Sequence, residues 1–196
     1  MSNLRSELLA KLEELTVLVL TLPEEEEETG GVDVGDGLPA LDNQAEDYGV
    51  KVNQPDIGEV WAKNQTYYRC VEVQHLTPVQ NRGGHQIYVR VQDEYGNRVY
   101  DNALRIGWTW QGRRPNEAAP PVALDKPDRL GERGHGNLDL YLGQRIELYI
   151  TSTVVQVASD VVYNIHSDHP GEPAISGEIW NSVGHHSFVV TFVKIE

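Results

Sequence analysis

Histidine is the residue of this chain best suited to chemistry, and four of its seven histidines fall in two short runs. His166-Ser167-Asp168-His169-Pro170 closes one apolar stretch, and His185-His186-Ser187 opens the next. Neutral imidazoles with a carboxylate are the ligand set of Zn²⁺ or a similar ion, with one position left open where such a site is catalytic. If the two stretches are neighbouring strands, His166, Asp168, His169, His185 and His186 gather at one sheet end as a candidate metal set. Adjacent residues of a strand point to opposite faces, so at most one of His185 and His186 can face that site. Ordinary polar and turn contacts explain the same residues at least as well. Paired carboxylates for glycoside hydrolysis come from distant strands and leave no local spacing; Glu172, Glu178 and Asp168 are the nearest candidates.

The aromatics supply a second candidate site. Trp108-Thr109-Trp110 leads into the basic Arg113-Arg114-Pro115, and Trp180-Asn181-Ser182 leads towards His185. A sugar ring stacks on an exposed aromatic face while amides, carboxylates and guanidinium groups bind its hydroxyls. Trp110, Arg113, Arg114, Asp168, Trp180 and Asn181 are therefore candidate glycan contacts. The competing expectation is that strand alternation turns Trp108 and Trp110 into the core. No Gly-x-Ser-x-Gly, His-Glu-x-x-His, Gly-x-x-x-x-Gly-Lys-Ser/Thr or strand–helix Gly-x-Gly-x-x-Gly pattern occurs, so the chain is expected not to be an enzyme and to need no cofactor.

Strands must position these residues. Ile87, Val89 and Val91 alternate with polar neighbours, and Leu104, Ile106, Trp108 and Trp110 do the same. Further strands fit at 67–74, 138–142, 145–152, 160–165 and 186–195, punctuated by Asn81-Arg82-Gly83-Gly84, Tyr95-Gly96-Asn97 and Gly143. Seven or eight short strands without a helical period between them predict a mainly β fold, an antiparallel β-sandwich of Ig-like or jelly-roll-like type over 56–196. The segment 111–136, rich in proline and glycine, is long for a connection; it is either a functional loop or a disordered excursion.

The first part of the chain has another character. Of 196 residues, 30 are acidic and 16 basic, a net charge of −14. Residues 1–60 hold 15 acidic and 3 basic side chains and only one aromatic, Tyr48. Residues 3–22 read as an amphipathic helix in which Leu4, Leu8, Leu12, Leu15, Leu18 and Leu22 form a short seam for self-association or anchoring, or for docking on the chain's own domain. The β-branched Thr16, Val17, Val19 and Thr21 leave a strand over 16–22 as the alternative. Pro23 ends that element, and residues 23–55, with Glu24 to Glu28 in a row, read as an acidic linker or extended arm.

Composition removes several classes. A strongly acidic chain is repelled by phosphate backbones and anionic lipid, which argues against nucleic-acid and membrane partners. No apolar run approaches the ~20 residues of a bilayer span. Cys70 is the only cysteine, which excludes an intrachain disulfide. Glu7, Glu13 and Glu14 stand where a secretory signal would carry basic residues, so no removable signal is expected.

The stretches Arg105-Ile106-Gly107-Trp108-Thr109-Trp110-Gln111-Gly112-Arg113-Arg114-Pro115 and Trp180-Asn181-Ser182-Val183-Gly184-His185-His186-Ser187-Phe188, with His166-Ser167-Asp168-His169-Pro170 between them, resemble a β-sandwich accessory module. Such modules occur beside bacterial cell-wall hydrolases and in phage structural proteins. The resemblance covers about 56–196 and implies non-catalytic binding or display, with no catalytic residues to carry over. The neighbour here is a helix and an acidic arm, which favours the structural setting. The expectation is a phage virion protein (decoration protein, head fibre or tail fibre) at the virion surface, homo-oligomeric with a trimer favoured, joined to other virion proteins, and able to bind a cell-surface glycan. The alternatives are an extracellular or cell-wall-associated bacterial carbohydrate-binding module and, third, a small metal-dependent hydrolase built on the histidines.

Overall fold

Alternation of apolar and polar residues turns one face of each strand inward, and two sheets close over the result. The computed structural model describes residues 38–126 and 134–196. Strands are numbered in chain order. The six-stranded sheet runs β1 (Asp42–Asn43), β3 (Tyr67–His75), β13 (Phe188–Ile195), β4 (Gln86–Gln92) and β7 (His135–Asp139), with β9 (Ala158–Ser159) also on β3. The five-stranded sheet runs β2 (Lys51–Asn53), β10 (Val161–Ile165), β8 (Ile146–Ser152), β5 (Leu104–Trp110) and β6 (Val122–Ala123). A separate ribbon pairs β11 (Glu172–Pro173) with β12 (Ile179–Asn181). Two short helices, α1 (Ile57–Ala62) and α2 (Pro78–Asn81), and a 3₁₀ turn at Glu46–Tyr48 complete the described residues.

The fold is mainly β, as the alternation predicts. Ile87, Val89 and Val91 of β4 and Ile146, Leu148 and Ile150 of β8 are buried and join Phe188, Val190 and Phe192 in one hydrophobic cluster fed by both sheets. Each such side chain contributes roughly 1.5–3 kcal/mol by leaving water. Strand β13 lies between β3 and β4 and is buried on both faces from Phe188 to Val193, so its sequence is a nearly continuous apolar run. Trp108 and Trp110 are half-buried against this cluster, with ring centroids 5.4 Å apart. The glycine just before them is required: opposite Gly107 lies Tyr149, and a Cβ at 107 would meet its ring at 2.4 Å.

Two expectations are corrected. Pairing is antiparallel throughout the five-stranded sheet, but in the six-stranded sheet β13 runs parallel to β4, and β1 and β9 run parallel to β3. Parallel neighbours need a long crossover, and the chain between β4 and β13 supplies one by building four strands of the five-stranded sheet, β5, β6, β8 and β10, on the way. The extended arm expected over 23–55 does not reach 55. Residues 42–43 pair with β3 and residues 51–53 with β10, and Ala45 and Val50 are buried. Asn43 makes this turn: its Oδ1 accepts from Ala45 N at 3.1 Å and its Nδ2 donates to Val50 O at 3.0 Å, while Gly49 supplies the positive φ of 77°. The domain drawn as 56–196 thus extends back to at least residue 38. The helix expected over 1–22 with its seam Leu4, Leu8, Leu12, Leu15, Leu18 and Leu22, the arm up to 37, and 127–133 of the long connection lie outside the described residues.

Where the chain passes from β9 in one sheet to β10 in the other, Asp160 is fully buried. Its two oxygens accept from the Tyr67 hydroxyl and from Cys70 N, the latter at 3.0 Å. Burial pushes its pKa up, and these two donors oppose the rise. Asp160→Ala removes both acceptors and strands two buried donors, so urea unfolding should register a loss of about 2–4 kcal/mol. Asp160→Asn, which keeps an oxygen for Cys70 and can donate to the Tyr67 oxygen, should lose less than half of that.

Candidate functional site

Antiparallel pairing of β3 with β13 sets Phe188 opposite His75, so His186, two residues earlier, falls beside the end of β3. His75 Nε2 and His186 Nδ1 lie 2.9 Å apart, and both rings are buried. Tyr48, delivered by the 3₁₀ turn, stacks on His75 with centroids 3.7 Å apart and 20° between planes. The Tyr48 hydroxyl donates to Glu172 Oε1 at 2.6 Å, and Asn181 Nδ2 donates to Glu172 Oε2 at 2.9 Å. Asn181 is fully buried; its Nδ2 also donates to Leu76 O, and its Oδ1 accepts from Asn81 Nδ2 at 2.8 Å. His169 stands edge-on to His186 at 5.3 Å, and His166 stacks on His169 at 4.2 Å.

Four imidazoles are thus gathered in the interior beside one carboxylate, and burial is the main force on their protonation. It lowers His75 to about 4, with His186 and His169 adding to the depression and Glu172 opposing it. His169 is lowered to about 4 by burial and by His166 and His186. His166 and His186 are lowered for the same leading reason. Burial pushes Glu172 up, but the bonds from Tyr48 and Asn181, together with His75, outweigh it and the net shift is down. The Tyr48 hydroxyl is pushed up to about 12 by burial and by its bond to Glu172. At neutral pH the set is therefore neutral imidazoles facing an ionised carboxylate, with one ligand atom each of His75, Glu172 and His186 within 4.8 Å of one another.

Of the metal set read from the sequence, His166, His169 and His186 come together here and Asp168 and His185 do not. Asp168 is exposed, and its Oδ1 accepts from Gly143 N at 2.9 Å. His185 is exposed and interacts with Ser182 Oγ while His186 is buried; both lie in the turn segment before β13, which begins at Phe188 rather than at the expected 186. His75 and Glu172 take their places. His75 lies 111 positions before His186; its signal in the sequence was its place at the end of a strand, which says nothing about its partner. Glu172, considered only as a hydrolytic carboxylate, is held by Tyr48 and Asn181, whereas Glu178 accepts from Trp180 Nε1 at 3.3 Å.

The proposed glycan contacts separate into three groups. Trp180 is exposed and lines an open cavity of about 560 Å³ with Val79, Arg82, Gly83 and Ile179. Its neighbour Asn181 faces inward and is spent on the buried network. On β5, Trp110 carries the Arg113 guanidinium 5.7 Å from its ring centroid, and Trp108 Nε1 donates to Pro120 O at 2.9 Å. Arg114 is exposed, and its backbone N–H donates to the Glu117 carboxylate. The cavity and the buried cluster are joined through the chain: α2 contributes Val79 to the cavity wall and Asn81 to the network, and β12 contributes Trp180 and Asn181 in the same way.

Comparison of the chain with protein-family models, with curated proteins and with solved structures finds no match in any of the three.

Proposed function

We propose that this is a non-catalytic structural protein of a phage virion, a decoration protein or fibre, whose β-sandwich is displayed outward and binds a surface glycan in the Trp180 cavity. The finer fold, an Ig-like or jelly-roll-like sandwich, belongs to this reading and is supported by the two sheets feeding one core. The observation that carries it is a division of labour. The acid–base groups are turned inward around His75 and His186, whereas the open cavity is lined by an indole, a guanidinium group and aliphatic side chains, which bind a ligand and transfer no proton. A sugar face stacks on Trp180 while Arg82 reaches its hydroxyls. The leucine seam and acidic run of the first 28 residues support assembly or anchoring through that segment.

Two measurements test the reading together. Light scattering during size exclusion should find a trimer or larger species for the whole chain, reduced to monomer when Leu8 and Leu15 are both changed to Asp. Sedimentation with purified bacterial cell walls should be weakened about tenfold by Trp180→Ala, the loss of one stacking contact of about 1.4 kcal/mol. A monomeric chain that still sediments with walls would favour the alternative, a lone bacterial carbohydrate-binding module. Wall binding indifferent to Trp180→Ala would remove the adhesion part.

A further inference from the structure

We propose that His75, Glu172 and His186 are the protein ligands of one structural Zn²⁺-class ion that clamps the β11–β12 ribbon to the end of the β3–β13 pair. The site joins His75 to two residues about a hundred positions further on, Glu172 and His186, and the assignment is independent of the virion reading. One ligand atom from each residue lies within 4.8 Å of the others. Around a tetrahedral ion with Zn–N of about 2.0–2.1 Å, two imidazole nitrogens sit roughly 3.4 Å apart. The His75–His186 separation of 2.9 Å needs to open by only about half an ångström to admit the ion.

The surroundings are those of a ligand site more than of a plain imidazole pair. Both carboxylate oxygens of Glu172 are already oriented by donors, Tyr48 on one and Asn181 on the other, and each keeps a lone pair for a metal. The His75 ring is held in plane by the stacked Tyr48. His186 Nε2 is buried, and the ring lies against the backbone of His169 and Pro170, which favours a proton on it. A proton on that nitrogen leaves the Nδ1 lone pair towards His75, the tautomer a metal ligand needs. His169 Nε2 is likewise buried and unpartnered beside His186, but it stands outside the three-residue set.

The ion would also solve a structural problem. β11 and β12 make a two-stranded ribbon outside both sheets, and an isolated ribbon is marginal in water. With a single cysteine the chain cannot staple it covalently. An ion shared by Glu172 of the ribbon and His75 and His186 of the sheet supplies that staple, and through Asn181 it fixes the strand that presents Trp180. Zinc suits the donor set because it accepts imidazole and carboxylate ligands in a small tetrahedral shell.

The test uses the full chain, stripped with a chelator, dialysed and titrated with Zn²⁺, and with Co²⁺ as a spectroscopic probe. Elemental analysis should find one Zn²⁺ per chain, and Co²⁺ should give the visible absorption of a tetrahedral site. Tyr48→Phe keeps the stacked ring and deletes only the hydroxyl that orients Glu172, so it should weaken affinity ~10–100-fold with unchanged far-UV circular dichroism. Glu172→Gln should weaken it further. His185→Ala, exposed beside His85, should leave it unchanged. A stripped chain that takes up no stoichiometric ion overturns the proposal. So does binding that survives Tyr48→Phe and Glu172→Gln intact but is lost in His185→Ala, which would place the ion on the surface His85–His185 pair.

Discussion

Acidification from pH 7 to pH 4 in a chelating buffer is expected to lower the unfolding midpoint steeply, with most of the loss between pH 6.5 and 4. In the unfolded chain each imidazole titrates near 6.5. In the folded chain burial holds His75 and His169 at about 4 and lowers His166 and His186 as well. Over that window the unfolded state binds protons that the folded state refuses, so stability falls as pH falls and is fully present above 6.5. Each unit of depression is worth about 1.4 kcal/mol, and four imidazoles share one interior, so their sum is large against the 5–15 kcal/mol of a typical domain. Glu172, whose folded pKa is lowered, adds a loss of the same sign below its unfolded value. Asp160, whose pKa is raised, contributes in the opposite sense, since protonation relieves a buried charge. Thermal melts followed by circular dichroism from pH 7 to 4 measure the balance. A midpoint flat down to pH 5 would show that these rings are solvated, and would contradict the burial on which the site description rests.

Asn181→Ala is expected to cost about 3 kcal/mol in urea unfolding, more than any exposed substitution on the same ribbon. The side chain joins three partners in a fully buried position: the Leu76 carbonyl, one oxygen of Glu172 and the amide of Asn81. Alanine leaves the first two without this donor, and water has no ready path to replace it. The same substitution should raise amide exchange in β12 and weaken wall binding indirectly, because Trp180 is its neighbour. Trp180→Ala supplies the contrast: it should weaken wall binding while leaving the unfolding midpoint within about 0.5 kcal/mol. Asn181→Asp should be at least as damaging as alanine, since it sets a second carboxylate against Glu172. A cost below about 1 kcal/mol would mean that the ribbon folds without this network.

Much of the fold was legible because strand alternation is a property of consecutive residues. Ile87, Val89 and Val91 declared their inward face, and five longer strands, β3, β4, β5, β8 and β10, lie at their expected positions, while β13, an apolar run buried on both faces, begins at Phe188. His185 and His186 do diverge, one exposed and one buried, but in the turn segment before β13 rather than by alternation along a strand. The shortest elements were not legible. β1, β2, β9, β11 and β12 have two or three residues each, too few for any period, and β1 and β2 sit in an acidic, glycine-containing stretch whose composition resembles a linker. The parallel direction of β4 against β13 was equally hidden, since it depends on the path of 95 intervening residues. The candidate site shows the boundary most sharply. The local runs around His166 and His185 displayed the right chemistry, yet two of the three residues that converge on one point, His75 and Glu172, were not among the histidines and the aspartate those runs singled out. Side-chain direction along a strand is set by neighbouring peptide units and can be read from the sequence. Which strand lies alongside, and in which register, is set by how distant segments bury their apolar faces together, and only the tertiary structure decides that.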